Sequence, residues 1–196
     1  MKVEILPVWK QITPALGEEL MAFWRSNKAI ADDTAAAARA TQAVCIVRDE
    51  AGTLCGVSTA VVKVLPRLRQ PMYYFRQFFA RSLRGKSHFI PVYRQTRQVL
   101  QAYNDSLARP ESLGLLIEKE NAKLNTAYPH AHEPAFDATF IGYSPRGTQI
   151  YVSYFEGAVL QPPAPVRAPV SATRDAHARN TPSIVQATSG RTSGRS

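Results

Sequence analysis

Apolar and polar residues recur along this chain with a spacing that switches between two and about 3.6, the periods of strands and helices. Residues Val3 to Ile12 predict a first strand. Thr13 as N-cap, Pro14 at the first helical position and Glu18 and Glu19 in the next turn predict a helix start. Leu16, Leu20, Phe23 and Trp24 then share one face. Residues 43–65 (AVCIVRDEAGTLCGVSTAVVKVL) predict a hairpin, two β-branched runs around Asp-Glu-Ala-Gly. Residues 72–83 (MYYFRQFFARSL) predict an aromatic strand that runs into a basic turn, and Val92 to Asn104 a helix. In the second half, LGLLIEKEN predicts a short buried strand, NAKLNTAY one or two helical turns stopped by Pro129, and FDATFIGYSPRGTQIYVSYFEGA two strands around Ser-Pro-Arg-Gly. This order argues a mixed α/β sheet with helices on its faces.

Composition bounds the class. With 196 residues and 45% hydrophobic content, the chain is long enough for one globular core. Its two cysteines, Cys45 and Cys55, make no disulfide framework and lack zinc-ligand spacing, which suggests thiols in a reducing compartment. The start of the chain shows no apolar leader, and no window reaches the roughly 18 apolar residues of a membrane helix, so a cytoplasmic location without a membrane partner is expected.

Charge divides the chain. Residues 161–196 carry five arginines against one aspartate and no aromatic residue, so they account for +4 of the formal +9. Such a segment buries too little apolar surface to offset ordering entropy and predicts a disordered basic tail, after a folded domain at 1–160. Between Ala51 and Asn104 stand nine basic residues and no Asp or Glu. A one-signed stretch of this kind is either a solvated basic face or a site for an anionic partner, small-molecule phosphates or nucleic acid. The run YYFRQFF has two readings as well. Interleaved with Arg76 and Arg81 it would stack bases in an open groove. Alternation instead puts Tyr73, Phe75, Gln77 and Phe79 on one face and Tyr74, Arg76 and Phe78 on the other, as in a central strand covered on both sides.

The step from the aromatic strand into Arg84-Gly85-Lys86-Ser87-His88-Phe89 and on into a helix, with the order of elements, resembles the GNAT N-acyltransferase superfamily. That family places an Arg/Gln-x-x-Gly-x-Gly/Ala turn there, at a helix start that holds the pyrophosphate of acyl-coenzyme A. Unpaired N–H groups and the helix dipole suit that role. The motif is degenerate: Ser87 stands where the family prefers Gly, and Phe89 at the Gly/Ala position. A second match is LLIEKENAKLNTAYP, with Asn121 after a strand and Tyr128 seven residues on, where the family has a Tyr that protonates the departing thiolate.

The resemblance spans roughly residues 3 to 158 and implies a mixed, mostly antiparallel twisted sheet with helices on both faces. It implies acetyl-CoA or another acyl-CoA as co-substrate, an amine on a small molecule or peptide as acceptor, and no metal. Arg81, Arg84, Gly85, Lys86, Ser87, His88, Phe89 and Asn121 are the candidate cofactor-binding residues. Tyr128 is the candidate acid, and Glu118 and Glu120, on one face of a strand, are candidate bases. The first helix and the segment after it, with Asp32 and Asp33 as ammonium partners, would line the acceptor site. A GNAT-like module without catalysis that binds a ligand or protein, and a basic nucleic-acid binder with salt-dependent affinity, are the alternatives. His130, His132 and Glu133 hint at a metal, but no further ligand cluster supports one.

Overall fold

The computed structural model describes residues 2–84 and 88–165. Gly85, Lys86 and Ser87 of the basic turn, and residues 166–196 of the tail, lie outside the described residues.

Eight strands make one sheet: β1 (Val3–Pro7), β2 (Ala43–Asp49), β3 (Leu54–Val64), β4 (Pro71–Phe79), β5 (Gly114–Lys119), β6 (His132–Glu133), β7 (Ala138–Tyr143) and β8 (Gln149–Tyr154). They lie in the order β1-β2-β3-β4-β5-β8-β7-β6. Every neighbouring pair is antiparallel except β4 and β5. Helices α1 (Pro14–Ser26) and α2 (Asp33–Ala40) cover one face, and α3 (Phe89–Ser106) the other. A short α4 (Ala122–Ala127) follows β5. The mixed, mostly antiparallel sheet expected from the sequence is therefore the observed one.

Local signals explain most boundaries. Thr13 caps α1, its hydroxyl accepting from Leu16 N–H at 3.2 Å, with Pro14 next in line as expected. The apolar stripe Leu20, Phe23 and Trp24 packs on Ile46, Leu54 and Val57. The first strand ends at Pro7, well short of Ile12, because the chain turns through Lys10 at a positive φ of 61°. The helix α2 was not foreseen. Its Asp32 caps it, accepting from Ala35 N–H at 2.6 Å, and it buries only Ala36 and Ala40.

Helix α3, about 27 Å long at 1.5 Å per residue, lies across the sheet with Val92, Tyr93, Thr96, Leu100 and Asn104 inward. Tyr93 and Leu100 enter the main core with Tyr73, Phe75, Leu115 and Ile117. On the other face of β4 and β5, Met72, Tyr74 and Leu116 pack with Ile150 and Val152. The aromatic run is thus a central strand with a core on each side, not an open stacking groove.

A polar clamp sets where β4 and β5 begin to pair. Buried Asn104 donates to the Ser112 carbonyl at 3.1 Å and accepts from the N–H groups of Glu111 and Ser112 at 3.0 and 3.1 Å. The Ser112 hydroxyl oxygen in turn accepts from Tyr73 N–H at 3.0 Å. Gly114 opens β5 where a side chain would meet the Ser153 carbonyl of β8, so the close approach requires glycine. Replacing Asn104 by Ala leaves the buried Ser112 N–H and carbonyl and the half-buried Glu111 N–H without these partners, and the expected loss is about 3 kcal/mol, read by urea unfolding.

Candidate active site

The β4–β5 ladder consists of Tyr73–Phe75 against Leu115–Ile117. Beyond it, β4 continues to Phe79 bound to β3, while β5 continues to Lys119 bound to β8. The two strands therefore part and leave a gap in the ladder between them. Ala80 N–H donates to Cys55 O at 2.9 Å, which sets the alternation of the β3–β4 ladder. It turns the main-chain groups of Tyr73, Phe75, Gln77 and Phe79 toward the β5 side. Tyr73 and Phe75 have β5 beside them; Gln77 and Phe79 lie past its last partner.

Four further groups follow from β4 or lie on it near this gap. Arg84 donates from Nε to the Phe79 carbonyl at 3.0 Å and lays its guanidinium 5.1 Å from the Phe78 ring, so it is held across the end of β4. Arg81, in a single 3-10 turn at Arg81–Leu83, is exposed beside it. Helix α3 then begins, with His88 as an N-cap that makes no side-chain bond. The N–H groups of Phe89 and Ile90 have no acceptor one turn back within the helix, and Pro91 supplies none. Gln77 adds a side chain whose amide nitrogen and oxygen are both buried and unpaired among the described residues. Sequence reading missed it, since a glutamine inside an aromatic run carries no motif.

The bulk of Phe89 does not stand in front of the helix end. Its ring stacks on Tyr93 at 6.2 Å and meets Phe136 edge-on at 5.9 Å. The Tyr128 ring joins the same cluster, 6.1 Å from Phe89 and 5.2 Å from Phe136. The structure thus brings the end of the basic turn beside the candidate acid. Asn121 caps α4, its side chain accepting from Lys123 N–H at 2.9 Å. Lys119 fixes the other end: it is 2% exposed, donates to the Tyr128 carbonyl at 2.6 Å and sits 4.1 Å from the Tyr151 ring. Burial lowers its pKa.

Glu118 and Glu120 do share a face, and Arg146 of the β7–β8 turn bonds both, at 3.0 and 2.5 Å. Glu118 also accepts from Tyr74 Oη at 2.5 Å and from Thr148 Oγ1. Burial pushes its carboxyl up, yet the hydrogen bonds from Thr148, Tyr74 and Arg146 outweigh it and hold the pKa down at about 2. A carboxylate held so low attracts cations but takes protons poorly. Two of the three side chains of Glu118-Lys119-Glu120 are thus engaged inside the structure.

Asp32 and Asp33 have other partners than an ammonium group. Asp32 caps α2, and Asp33 pairs with Arg25 at 2.7 Å. His130 N–H donates to Glu133 at 2.6 Å and His132 Nδ1 lies 3.1 Å from Thr139 Oγ1. Among the described residues no group of three or more His, Cys, Asp or Glu is placed to hold a metal ion. No described helix is long and apolar enough to cross a membrane. A cavity of about 350 Å³ lies at the opposite end of the β4–β5 ladder, by Asn104, Leu113 and Phe155. It gathers none of the residues that the sequence singles out.

No protein-family model matches the sequence, and no curated protein matches it significantly. Solved structures do. A GNAT-family acetyltransferase from Streptococcus pneumoniae superposes with a TM-score of 0.50 at 10% identity, covering 79% of this chain and all of that one. Arabidopsis thaliana NAA60 in complex with acetyl-CoA gives 0.50 at 11% identity, over 79% of this chain and 100% of its own. A GNAT-superfamily phosphinothricin acetyltransferase from Sinorhizobium meliloti in complex with acetyl-CoA gives 0.50 at 12%, over 86% and 100%. The chain has the fold of the GNAT superfamily.

Because the folded-state pKa of Glu118 is depressed, its contribution to stability is present above the unfolded value of 4.5 and is lost as pH falls toward about 2. Wild type should exceed Glu118→Gln in unfolding free energy near neutrality, and the gap should close over that window in pH-dependent denaturation. Gln77→Leu removes an unpaired buried amide, so the ligand-free protein should melt at the same temperature or higher in calorimetry.

Proposed function

We propose that the protein is an acyl-coenzyme A-dependent N-acyltransferase, moving an acetyl or other acyl group to an amine. One observation carries this reading: the N-terminus of α3, with Arg84 held across the end of β4, stands at the gap where Gln77 and Phe79 lose β5 as a partner. The fold supports it, as do two structural neighbours described with acetyl-CoA bound.

In this reading the diphosphate lies against the first N–H groups of α3, where the helix dipole favours negative charge. Arg81, Arg84 and Lys86 add positive charge, and Ser87 and His88 add donors. The amide-bearing arm of the thioester runs beside β4 and takes up the main-chain bonds that β5 leaves open there. Asn121 sits at the turn between β5 and α4 on the other wall. The acyl carbonyl then meets a β4 N–H, which polarises it and stabilises the oxyanion when the amine attacks. Collapse of the tetrahedral intermediate breaks the carbon–sulfur bond, and the thiolate takes a proton from the Tyr128 phenol. Lys119 positions that residue through its carbonyl. Glu118 draws the acceptor ammonium without deprotonating it efficiently. Glu120, bonded to Arg146 in the open, is the better placed of the two to take the proton through water.

Isothermal titration should give micromolar binding of acetyl-CoA or a longer acyl-CoA. Arg84→Glu should weaken it by at least about ten-fold, roughly 1.4 kcal/mol, with an unchanged melting temperature. Tyr128→Phe should bind the thioester normally and lower kcat by about 100-fold. Absence of binding to every thioester would overturn the reading.

A further inference from the structure

The sheet face opposite α3 carries a second charged cluster that the acyl-CoA reading does not use. Arg76 is the first residue of β4 beyond the last β4–β5 pair on that face, and Glu118 holds the equivalent place on β5. Lys63 Nζ lies 4.0 Å and the Arg76 guanidinium carbon 4.5 Å from the ring of Tyr74. Arg39, in the last turn of α2, is near enough to Arg76 and Lys63 to feel their charge. Burial lowers the pKa of both Arg39 and Lys63, and the neighbouring Arg76 charge lowers them further.

None of Arg39, Lys63 and Arg76 forms an ion pair among the described residues. The carboxylates beside them, Glu118 and Glu120, are both bonded by Arg146, so the cluster as a whole is cationic. Glu120 at Arg39 and Glu118 at Lys63 offset only part of the repulsion from the neighbouring cations, and an anion placed among the three would relieve the rest. The cluster borders the mouth of the cleft on the face that α1 and α2 cover, away from the helix end assigned to the diphosphate. In the acyltransfer reading the amine reaches the carbonyl from this face.

We propose that Arg39, Lys63 and Arg76 hold an acid group of the acceptor, so that the acceptor is a small amine bearing a carboxylate or phosphate. The inference rests on the acyltransfer reading and names its substrate class. An amine of this kind sets its ammonium toward Glu118 and Glu120 and its acid group toward the three cations. The charge pattern thus fixes its orientation as well as its class, with charge-assisted bonds to the guanidinium groups supplying the strength.

The test measures coenzyme A release from acetyl-CoA with β-alanine, phosphoethanolamine and ethylenediamine, which share a two-carbon spacing between functional groups. An acid-bearing amine should be preferred over ethylenediamine by about ten-fold or more in kcat/KM, and the better of the two identifies carboxylate or phosphate. Arg76→Gln and Lys63→Gln should each erase most of that preference while leaving acetyl-CoA affinity within about two-fold. Equal use of ethylenediamine, or a preference that survives both substitutions, would overturn the proposal. Failure of acetyl-CoA and of every longer acyl-CoA to bind would sink the acyltransfer reading by itself. The anion site is then read by thermal shift with phosphoethanolamine: stabilisation of the wild type that Arg76→Gln lacks supports it, and equal shifts overturn it.

Discussion

The parallel contact between β4 and β5 is the constraint on which the rest of this structure depends. It is short, three residue pairs, and its two ends are treated differently. At one end Asn104 and Ser112 tie the tip of α3 and the start of β5 to the main chain of β4. At the other end the strands diverge to other partners, β4 to β3 and β5 to β8. A sheet joined firmly at one end and split at the other presents ladder groups with no strand beside them. In a protein interior that arrangement is costly unless something else supplies the hydrogen bonds.

The surroundings of the split are consistent with such a visitor. On the α3 face an aromatic cluster of Phe89, Tyr93, Tyr128 and Phe136 welds the first turn of α3 to the end of α4. The residue that opens the long helix and the residue that ends the short one are thereby fixed on the same side. On the opposite face the chemistry is charged: Tyr74, Glu118, Thr148 and Arg146 form one bonded network, flanked by Lys63 and Arg76, which form no ion pair among the described residues. The two faces at the split are thus differently equipped.

Much of this was legible in the sequence where the signal is local. The cap at Thr13, the β2–β3 hairpin, the two-faced aromatic strand and the Asn121 start of α4 all rest on residues within a few positions of one another. The failures have equally physical causes. Helix α2 buries only two alanines, too weak a stripe to show as periodicity, although Asp32 was an available cap signal. Strand β6 is two residues long and exists only because β7 pairs with it. The state of Glu118 depends on Arg146 and Thr148, about thirty residues away, so no spacing rule could reveal that its carboxylate is held so firmly. Lys119 reads as polar yet is buried, since its ammonium finds a carbonyl and an aromatic face that only the tertiary fold provides.

Hydrogen exchange of the main-chain amides with and without acetyl-CoA tests whether a ligand enters the split between β4 and β5. Slowed exchange is expected at Gln77 and Phe79, past the last β5 partner, and at Phe89 and Ile90 in the first turn of α3, with unchanged exchange near Asn104 and Leu113 at the closed end of the ladder. Unaltered exchange around the split, or protection confined to the cavity by Leu113 and Phe155, would contradict it.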